Sequence, residues 1–596
     1  MPHSSLSQWR QAGRAKRWQA LSAVNFIPFL LLQFGTAIAL FWLLRELIKF
    51  AMAFTNDLLV KLPYLEPFQP FYRDPTQSIL LTLGILMLLS PWLLDALLKL
   101  FYRLQPLSIN ALSTYSPEAS RVLKRYCQQR NWSLPKLSIL PISTPLALTY
   151  GNLPRTARIV VTQGLLEQLA DDEIATIYAA QLGHITHWDF VVMSLFILVT
   201  HLPYTIYQQG SVREDRITNE FLRVIAAVFA NCAYGLWCLL SGPALWLSQL
   251  RIYYSDRLAA EITGNPNGLT RALLKIAQGI NKDIQQQGHT SWLLESWNLL
   301  TLISYDQAIA LGNLHSYSQF ESVLAWEYLN PARYWLNINH THPLMGDRLH
   351  HLTHIAHHWR LEPELNLARK ETDRIFNSSS PPASPALLLQ VAPFFGILFG
   401  FLLGGLLWLV GGIGSWLGIA QLAWMYGDWS LIQGCLPIGF SIGTFIQINS
   451  LFPDIKPATV TINPDLPNLL ASTALPIDSQ PVRLQGKLLG RHGISNWLGQ
   501  DLILHSPTGL VKLHHISWLW PVGDLVLRQS PSPTELLDRH LIATGWFRRG
   551  ATPWIDVDIL QTQGGKVSRS GHPGWSTLLA TTAAAGGAYI ILSGGI

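Results

Sequence analysis

Apolar residues gather into blocks long enough to cross a bilayer, which takes about 20 helical residues. Residues 23–44 and 78–94 form two such blocks, with Pro91 placed to kink the second. Residues 190–207 and 224–247 form a second pair around a short charged loop. Residues 387–452 make one long apolar block that opens with Gly396, Gly400 and Gly404, a four-residue stripe suited to close helix packing. Gly411, Gly412 and Gly414 are expected to interrupt this block, giving spans over 387–410 and 431–452. A third crossing there would invert everything after it. Residues 578–591 are a short Ala/Gly-rich segment that either spans or packs against the other spans. Arg10, Arg14, Lys16 and Arg17 precede the first pair, and Lys99 and Arg103 follow it, which places both flanks in the cytoplasm. Residues 1–19 lack a small-residue cleavage site after a short apolar core, so no removable signal peptide is expected.

Between the blocks the pattern changes. Residues 116–131 read as a helix with Ser116 as N-cap and Glu118 in its first turn. Residues 137–141 and 159–162 read as short strands, 172–189 as a helix, and 251–373 as soluble and largely helical. Residues 377–386 are a Ser/Pro-rich linker. Past the long block, 482–489, 501–505, 510–516, 541–547 and 554–560 alternate apolar and polar residues between turn signals. Five short strands predict a small barrel. The expected fold is therefore an α-helical multi-span membrane protein with a mostly helical α+β domain and a C-terminal β-barrel. Its divisions are 1–106 (basic segment and two spans), 107–376 (domain with an inserted transmembrane hairpin), the linker, 387–452 (hairpin), 460–575 (barrel) and 578–591.

Composition agrees with this division. The 596 residues are 49% hydrophobic and 13% charged, against about 25% charged in soluble domains. The net charge of +6 fits positive-inside bias and attraction to anionic lipid, not nucleic-acid binding. Cys127, Cys232, Cys238 and Cys435 show no spacing for a disulfide framework or a zinc ribbon.

The chemically informative stretch is 172–189, DEIATIYAAQLGHITHWD. It resembles the active helix of the HtpX and CAAX-prenyl-protease type of membrane metallopeptidases. In that family an H-E-x-x-H helix runs directly into a transmembrane span. Three further segments keep the family's order: 149–166 (TYGNLPRTARIVVTQGLL), 251–276 (RIYYSDRLAAEITGNPNGLTRALLKI) and 340–349 (HTHPLMGDRL). The resemblance covers roughly 107–352. It implies a gluzincin-like fold, zinc as cofactor, proteolysis of membrane or unfolded proteins, and a role in protein quality control. Residues 545–575 resemble the OB-like soluble domain of GIDE-type membrane proteins, without RING cysteines.

In the H-E-x-x-H design, two His four residues apart on one helix face hold zinc, the Glu beside the first activates the metal-bound water, and a third ligand closes the shell. Carried onto this chain, the resemblance puts Ala180 at the first ligand, Gln181 at the general base, His184 at the second ligand and Ile252 at the third ligand. Asp256 matches the acidic residue that follows in the pattern, and Leu146 stands where the family has an edge-strand Asn. General-base catalysis is worth about 10²- to 10⁴-fold, and catalytic zinc takes three protein ligands. The expectation is a pseudo-peptidase, with zinc absent or weakly bound.

Other groups compete for a role. His187 with His184 and Asp189 would build a shifted metal site; otherwise they are polar residues where a helix meets the membrane. Without metal, a buried His184 needs a hydrogen-bond partner, for which Gln181 and Asp256 are candidates. Asp256 is alternatively a cap or a partner of Arg251 or Arg257. His340 and His342 are either remnants of the cleft or an ordinary turn. His350, His354 and His358 share a helix face, beside His351 and His357, and read as a metal or pH site or as a solvated face. Arg548 and Arg549 read as an anionic-lipid or acidic-partner site or as a solvated turn. Three functions remain open. One is a pseudo-peptidase that binds membrane lipids and a membrane or unfolded protein partner, such as an active peptidase relative. The second is an active zinc endopeptidase with substitute ligands, and the third is a scaffold working through the barrel. The soluble parts are expected on the cytoplasmic side.

Overall fold

The computed structural model describes residues 14–15, 21–61, 66–212, 220–330, 333–367, 389, 391–471, 479–496, 499–516, 533–550 and 552–594. The basic residues Arg10, Lys16 and Arg17 and the linker 377–386 lie outside the described residues. Contacts divide the chain into two bodies, 1–376 with 493–495, and 377–492 with 496–596. Seven described helices are long and apolar enough to span a membrane.

The first body opens with helices α1 (Ile27–Lys61) and α2 (Thr76–Tyr102). The first span was expected to end at residue 44, but α1 runs on to Lys61, 35 residues in all. The charges that follow Leu44 do not stop it because they are answered in place: Arg45 bonds Glu46 (2.7 Å) and Thr76 (2.8 Å), and Lys49 lies 3.4 Å from Asp74. After β1 (Gln105–Pro106) comes α3 (Pro117–Gln129), capped as expected by the Ser116 hydroxyl, which accepts from the Ala119 N–H at 2.9 Å. Strands β2 (Lys136–Leu140), β3 (Ala147–Tyr150) and β4 (Arg158–Thr162) complete a sheet of order β1-β2-β4-β3, with β3 on its edge. Helices α4 (Asp171–His187) and α5 (Asp189–Val212) were expected to meet later. The break falls at Trp188, whose φ of 62° ends α4 in the left-handed conformation, so Asp189 begins the next helix. Helix α6 (Glu220–Ser241) passes through a single 3₁₀ turn into α7 (Leu245–Thr263), followed by α8 (Pro266–Gln287) and α9 (Met345–His358).

In the second body, α10 (Ala392–Trp416) and α11 (Trp429–Leu451) form one hairpin. Gly396, Gly400 and Gly404 do pack closely: a Cβ on Gly396 would lie 2.2 Å from the Gly439 carbonyl oxygen. The expected interruption at Gly411, Gly412 and Gly414 does not occur. Helix α10 continues through them, because they make room for Met425, Tyr426 and Leu422 folding back against the helix. Strands β5 (Gln480–Gly490), β6 (Leu502–Ser506), β7 (Gly509–His514), β8 (His540–Arg549) and β9 (Pro553–Thr562) match all five expected strands. They close in the order β5-β6-β7-β9-β8-β5, with β7 and β9 parallel. Closure removes the exposed edges an open sheet would carry. The alternation that predicted β5 is its burial: Val482, Leu484 and Leu488 face in, while Arg483 and Gln485 face out. Helix α12 (Gly574–Gly594) is the seventh candidate span.

Candidate functional site

Helix α4 is apolar on nearly every side, the composition of a helix surrounded by protein. Every residue from Glu173 to Ile185 is buried. Its acidic first turn favours the positive end of the helix dipole. The Glu173 carboxylate accepts the Ala170 N–H at 2.9 Å, and Arg271 and Lys275 of α8 bind Asp172 and Glu173.

Along its middle, α4 meets α7. Gly183 permits the contact: a Cβ there would stand 2.9 Å from the Ser255 Cα. Ser255 Oγ donates to the Ala180 carbonyl at 3.0 Å. Ala180 and Ile252 are both buried, and neither carries a donor atom for a metal. Gln181 Oε1 accepts from Thr149 Oγ1 at 2.6 Å, tying α4 to edge strand β3, while its buried Nε2 has no partner among the described residues.

His184 keeps a posture suited to ligation. Its Nδ1 lies 3.1 Å from both carboxylate oxygens of Asp189, so the N–H sits on Nδ1 and Nε2 carries the lone pair. A metal-binding His is commonly oriented by such a carboxylate. Asp189 is in turn 3.7 Å from Arg251 Nη1, and Arg251 Nη2 donates to the Leu299 carbonyl at 2.6 Å. Burial lowers the His184 pKa against the opposing pull of Asp189, so the ring is held neutral. The partner of His184 is thus Asp189, not Gln181 or Asp256.

The remaining candidates disperse. His187 turns from His184 toward Phe26, Phe29 and Tyr254, with its Nδ1 buried and unpartnered among the described residues. Burial lowers its pKa to about 4. It does not share Asp189 in a shifted metal site, because its ring fills an aromatic pocket. Asp256 pairs through both oxygens with Arg348 of α9, not with Arg251 or Arg257. His342 Nε2 donates to the Thr301 carbonyl at 2.8 Å, and burial lowers its pKa to about 3. The His340 N–H donates to the Asn337 carbonyl within a turn. His350 stacks on Tyr328 at 4.0 Å, while His351, His354, His357 and His358 are exposed. Among the described residues no group of three or more His, Cys, Asp or Glu converges as a metal site. A three-ligand zinc centre does not fit the side chains present at 180, 181, 184 and 252. In the barrel, Arg548 and Arg549 are buried at the end of β8, not in a solvated turn. Arg548 Nε donates to Asp556 at 2.6 Å. Leu146 is buried beside β3.

Two features escaped the sequence reading. One is the closure of β3: Ala147, Leu148, Thr149 and Tyr150 are each no more than 1% exposed. Tyr150 Oη donates to Asp95 of α2, and Ser194 of α5 accepts the Gly151 N–H. The other is the Asp189–Arg251 and Asp256–Arg348 pairing. Its signal was present as four charges inside apolar helices and the quoted 340–349 segment, since such charges need partners.

Residues 116–356 match Peptidase family M48. A Protease HtpX homolog of Pyrococcus furiosus is 27% identical over 239 residues, 38% of this chain and 77% of that protein. Protease HtpX of Legionella pneumophila is 26% identical over 220 residues, 35% and 74% respectively. The crystal structure of S. mikatae Ste24p covers 55% of this chain and 67% of its own at 15% identity, with a TM-score of 0.27, a loose likeness. With its apolar spans, this integral membrane protein carries over residues 116–356 a domain that matches Peptidase family M48, a family of zinc metallopeptidases, and is similar to proteases of the HtpX type.

Proposed function

We propose that the chain is a pseudo-peptidase: it retains the M48 scaffold, has given up zinc hydrolysis, and binds a membrane or unfolded protein without cutting it. The observation that carries this reading is the filled centre. Ala180 and Ile252 occupy the expected ligand positions as buried apolar residues, and Gln181, at the base position, is an amide tied to Thr149. The covered edge strand supports it. A peptide substrate that adds to a sheet edge needs an open row of backbone groups, and β3 offers almost none. The basic flanks of the first pair of spans support a cytoplasmic position for the soluble parts.

The test is metal analysis of purified full-length protein together with proteolysis of an unfolded substrate. The expected result is no stoichiometric zinc and no chelator-sensitive cleavage; either one in the unaltered chain overturns the reading. The triple variant Ala180→His, Gln181→Glu, Ile252→Glu is expected to gain zinc, because His184 is already oriented by Asp189.

A further inference from the structure

A cavity of about 280 Å³ opens in the first body between α1, α7 and residues 333–347. Its two sides differ in chemistry. One is apolar and formed by candidate spans: Leu32 of α1 and Trp246 and Leu250 of α7. The other is polar and formed by the soluble part: Arg333, Asn337 and Asp347. Trp246 is 60% exposed and Tyr334 73% exposed at the rim, the amphipathic aromatics typical of a membrane–water boundary.

The polar side is built and incompletely paired. Asn337 is only 8% exposed. Its Nδ2 donates to Gln249 Oε1 at 2.9 Å, while its Oδ1 is buried without a partner among the described residues. Such an acceptor is costly to leave unmade. Asp347 accepts from Tyr253 Oη through one oxygen, at 2.7 Å. Arg333 donates to the Tyr328 carbonyl at 2.6 Å and to Tyr334 Oη at 3.2 Å, and its Nε is buried and unpartnered among the described residues. The cavity therefore offers a guanidinium donor on one hand, and a carboxylate with a free amide oxygen on the other.

We infer that this cavity holds the head group of a zwitterionic phospholipid bearing a primary ammonium, of the phosphatidylethanolamine class. Arg333 meets the phosphate, the pairing that guanidinium makes best. Asp347 and Asn337 Oδ1 meet the ammonium, occupying two of its three N–H donors. A quaternary choline has no N–H to give Asn337, and a glycerol head group, with its phosphate on Arg333, brings only neutral hydroxyls to Asp347 and leaves that carboxylate without a counter-ion from the lipid. The volume lies just below the range of about 300–1,000 Å³ typical of sites that enclose a whole ligand. It takes the head group, and the acyl chains lie outside along Leu32, Trp246 and Leu250.

The test is native mass spectrometry of the full-length protein in detergent, titrated separately with phosphatidylethanolamine, phosphatidylcholine and phosphatidylglycerol of identical chains. The first bound lipid is expected to favour phosphatidylethanolamine by about tenfold, the effect of one charge-assisted hydrogen bond. Asp347→Asn and Asn337→Leu are expected to bring it down to the phosphatidylcholine level, and Arg333→Gln to weaken both zwitterionic lipids. In unaltered protein, excess glycerophosphoethanolamine should displace the lipid while glycerophosphocholine should not. Equal binding of the three lipids by unaltered protein, or displacement by neither head group, overturns the assignment whether or not the variants fold.

Discussion

Two stretches of the contact between α7 and its neighbours have fared differently. At one, Asp189 and Asp256 keep buried partners: His184 and Arg251 for the first, Arg348 for the second. At the other, where the family's chemistry requires donors, Ala180 and Ile252 present methyl and methylene groups, and the amide of Gln181 is half satisfied. Supporting charges persist beside an apolar centre. A buried charge that loses its partner costs far more than a ligand position that becomes apolar. On the proposed pseudo-peptidase reading, loss of chemistry would leave the supports in place, because the fold still depends on them.

The sharpest way to break this contrast is Arg348→Ala. It strands Asp256, which is 3% exposed, and breaking a buried pair costs about 3–5 kcal/mol. Thermal unfolding of the purified variant should fall steeply or the protein should fail to accumulate. A melting temperature equal to that of the unaltered chain would show that the pair is not a support. Next comes Gly183→Ala, which pushes a Cβ to 2.9 Å from the Ser255 backbone. The expected loss is about 1–3 kcal/mol, read by the same melting experiment.

How far the sequence foretold these features depends on the distance over which each is decided. The five barrel strands and the Ser116 cap were legible because alternation and capping are local. The likeness of 172–189 to the family's helix was legible because His184 survives and the segments around it keep the family's order. The partner of His184 was missed although Asp189 is only five residues away, because the turn at Trp188 brings it back. The Asp256–Arg348 pair joins residues 92 apart in sequence and needed the tertiary fold. The glycines at 411, 412 and 414 misled because small residues serve close packing as readily as they break helices, and only the returning Leu422 and Tyr426 decide between the two.

The buried histidines sharpen the comparison through pH. His342 has a pKa of about 3 when folded, against 6.5 as the ordinary value. The unfolded chain takes up a proton below pH 6.5 while the folded chain resists it. This contribution to stability is therefore complete above pH 6.5 and is lost as pH falls from 6.5 toward 3. At pH 5.5 the loss is about 1.4 kcal/mol for such a residue. His187, at about 4, adds in the same direction. Melting temperature should drop between pH 7 and 5.5, and His342→Gln should remove its share of the slope. A flat profile would mean these rings are reached by solvent.

The smallest expected effect is the most telling about Gln181. Gln181→Leu alone leaves the buried Thr149 hydroxyl without its acceptor, at a cost of about 1–3 kcal/mol. Thr149→Val with Gln181→Leu removes donor, acceptor and the unpartnered Nε2 together. Replacing both partners by apolar groups of similar shape is close to neutral, so the double variant should melt within about 1 kcal/mol of the unaltered chain. A double variant markedly less stable than the single one would mean that Gln181 Nε2 is satisfied in solution by water or a ligand group. The centre would then be a polar binding site and not a filled contact. If the unaltered chain binds an unfolded protein as proposed, a double variant that restores stability but loses that binding would place recognition at the covered strand β3 itself.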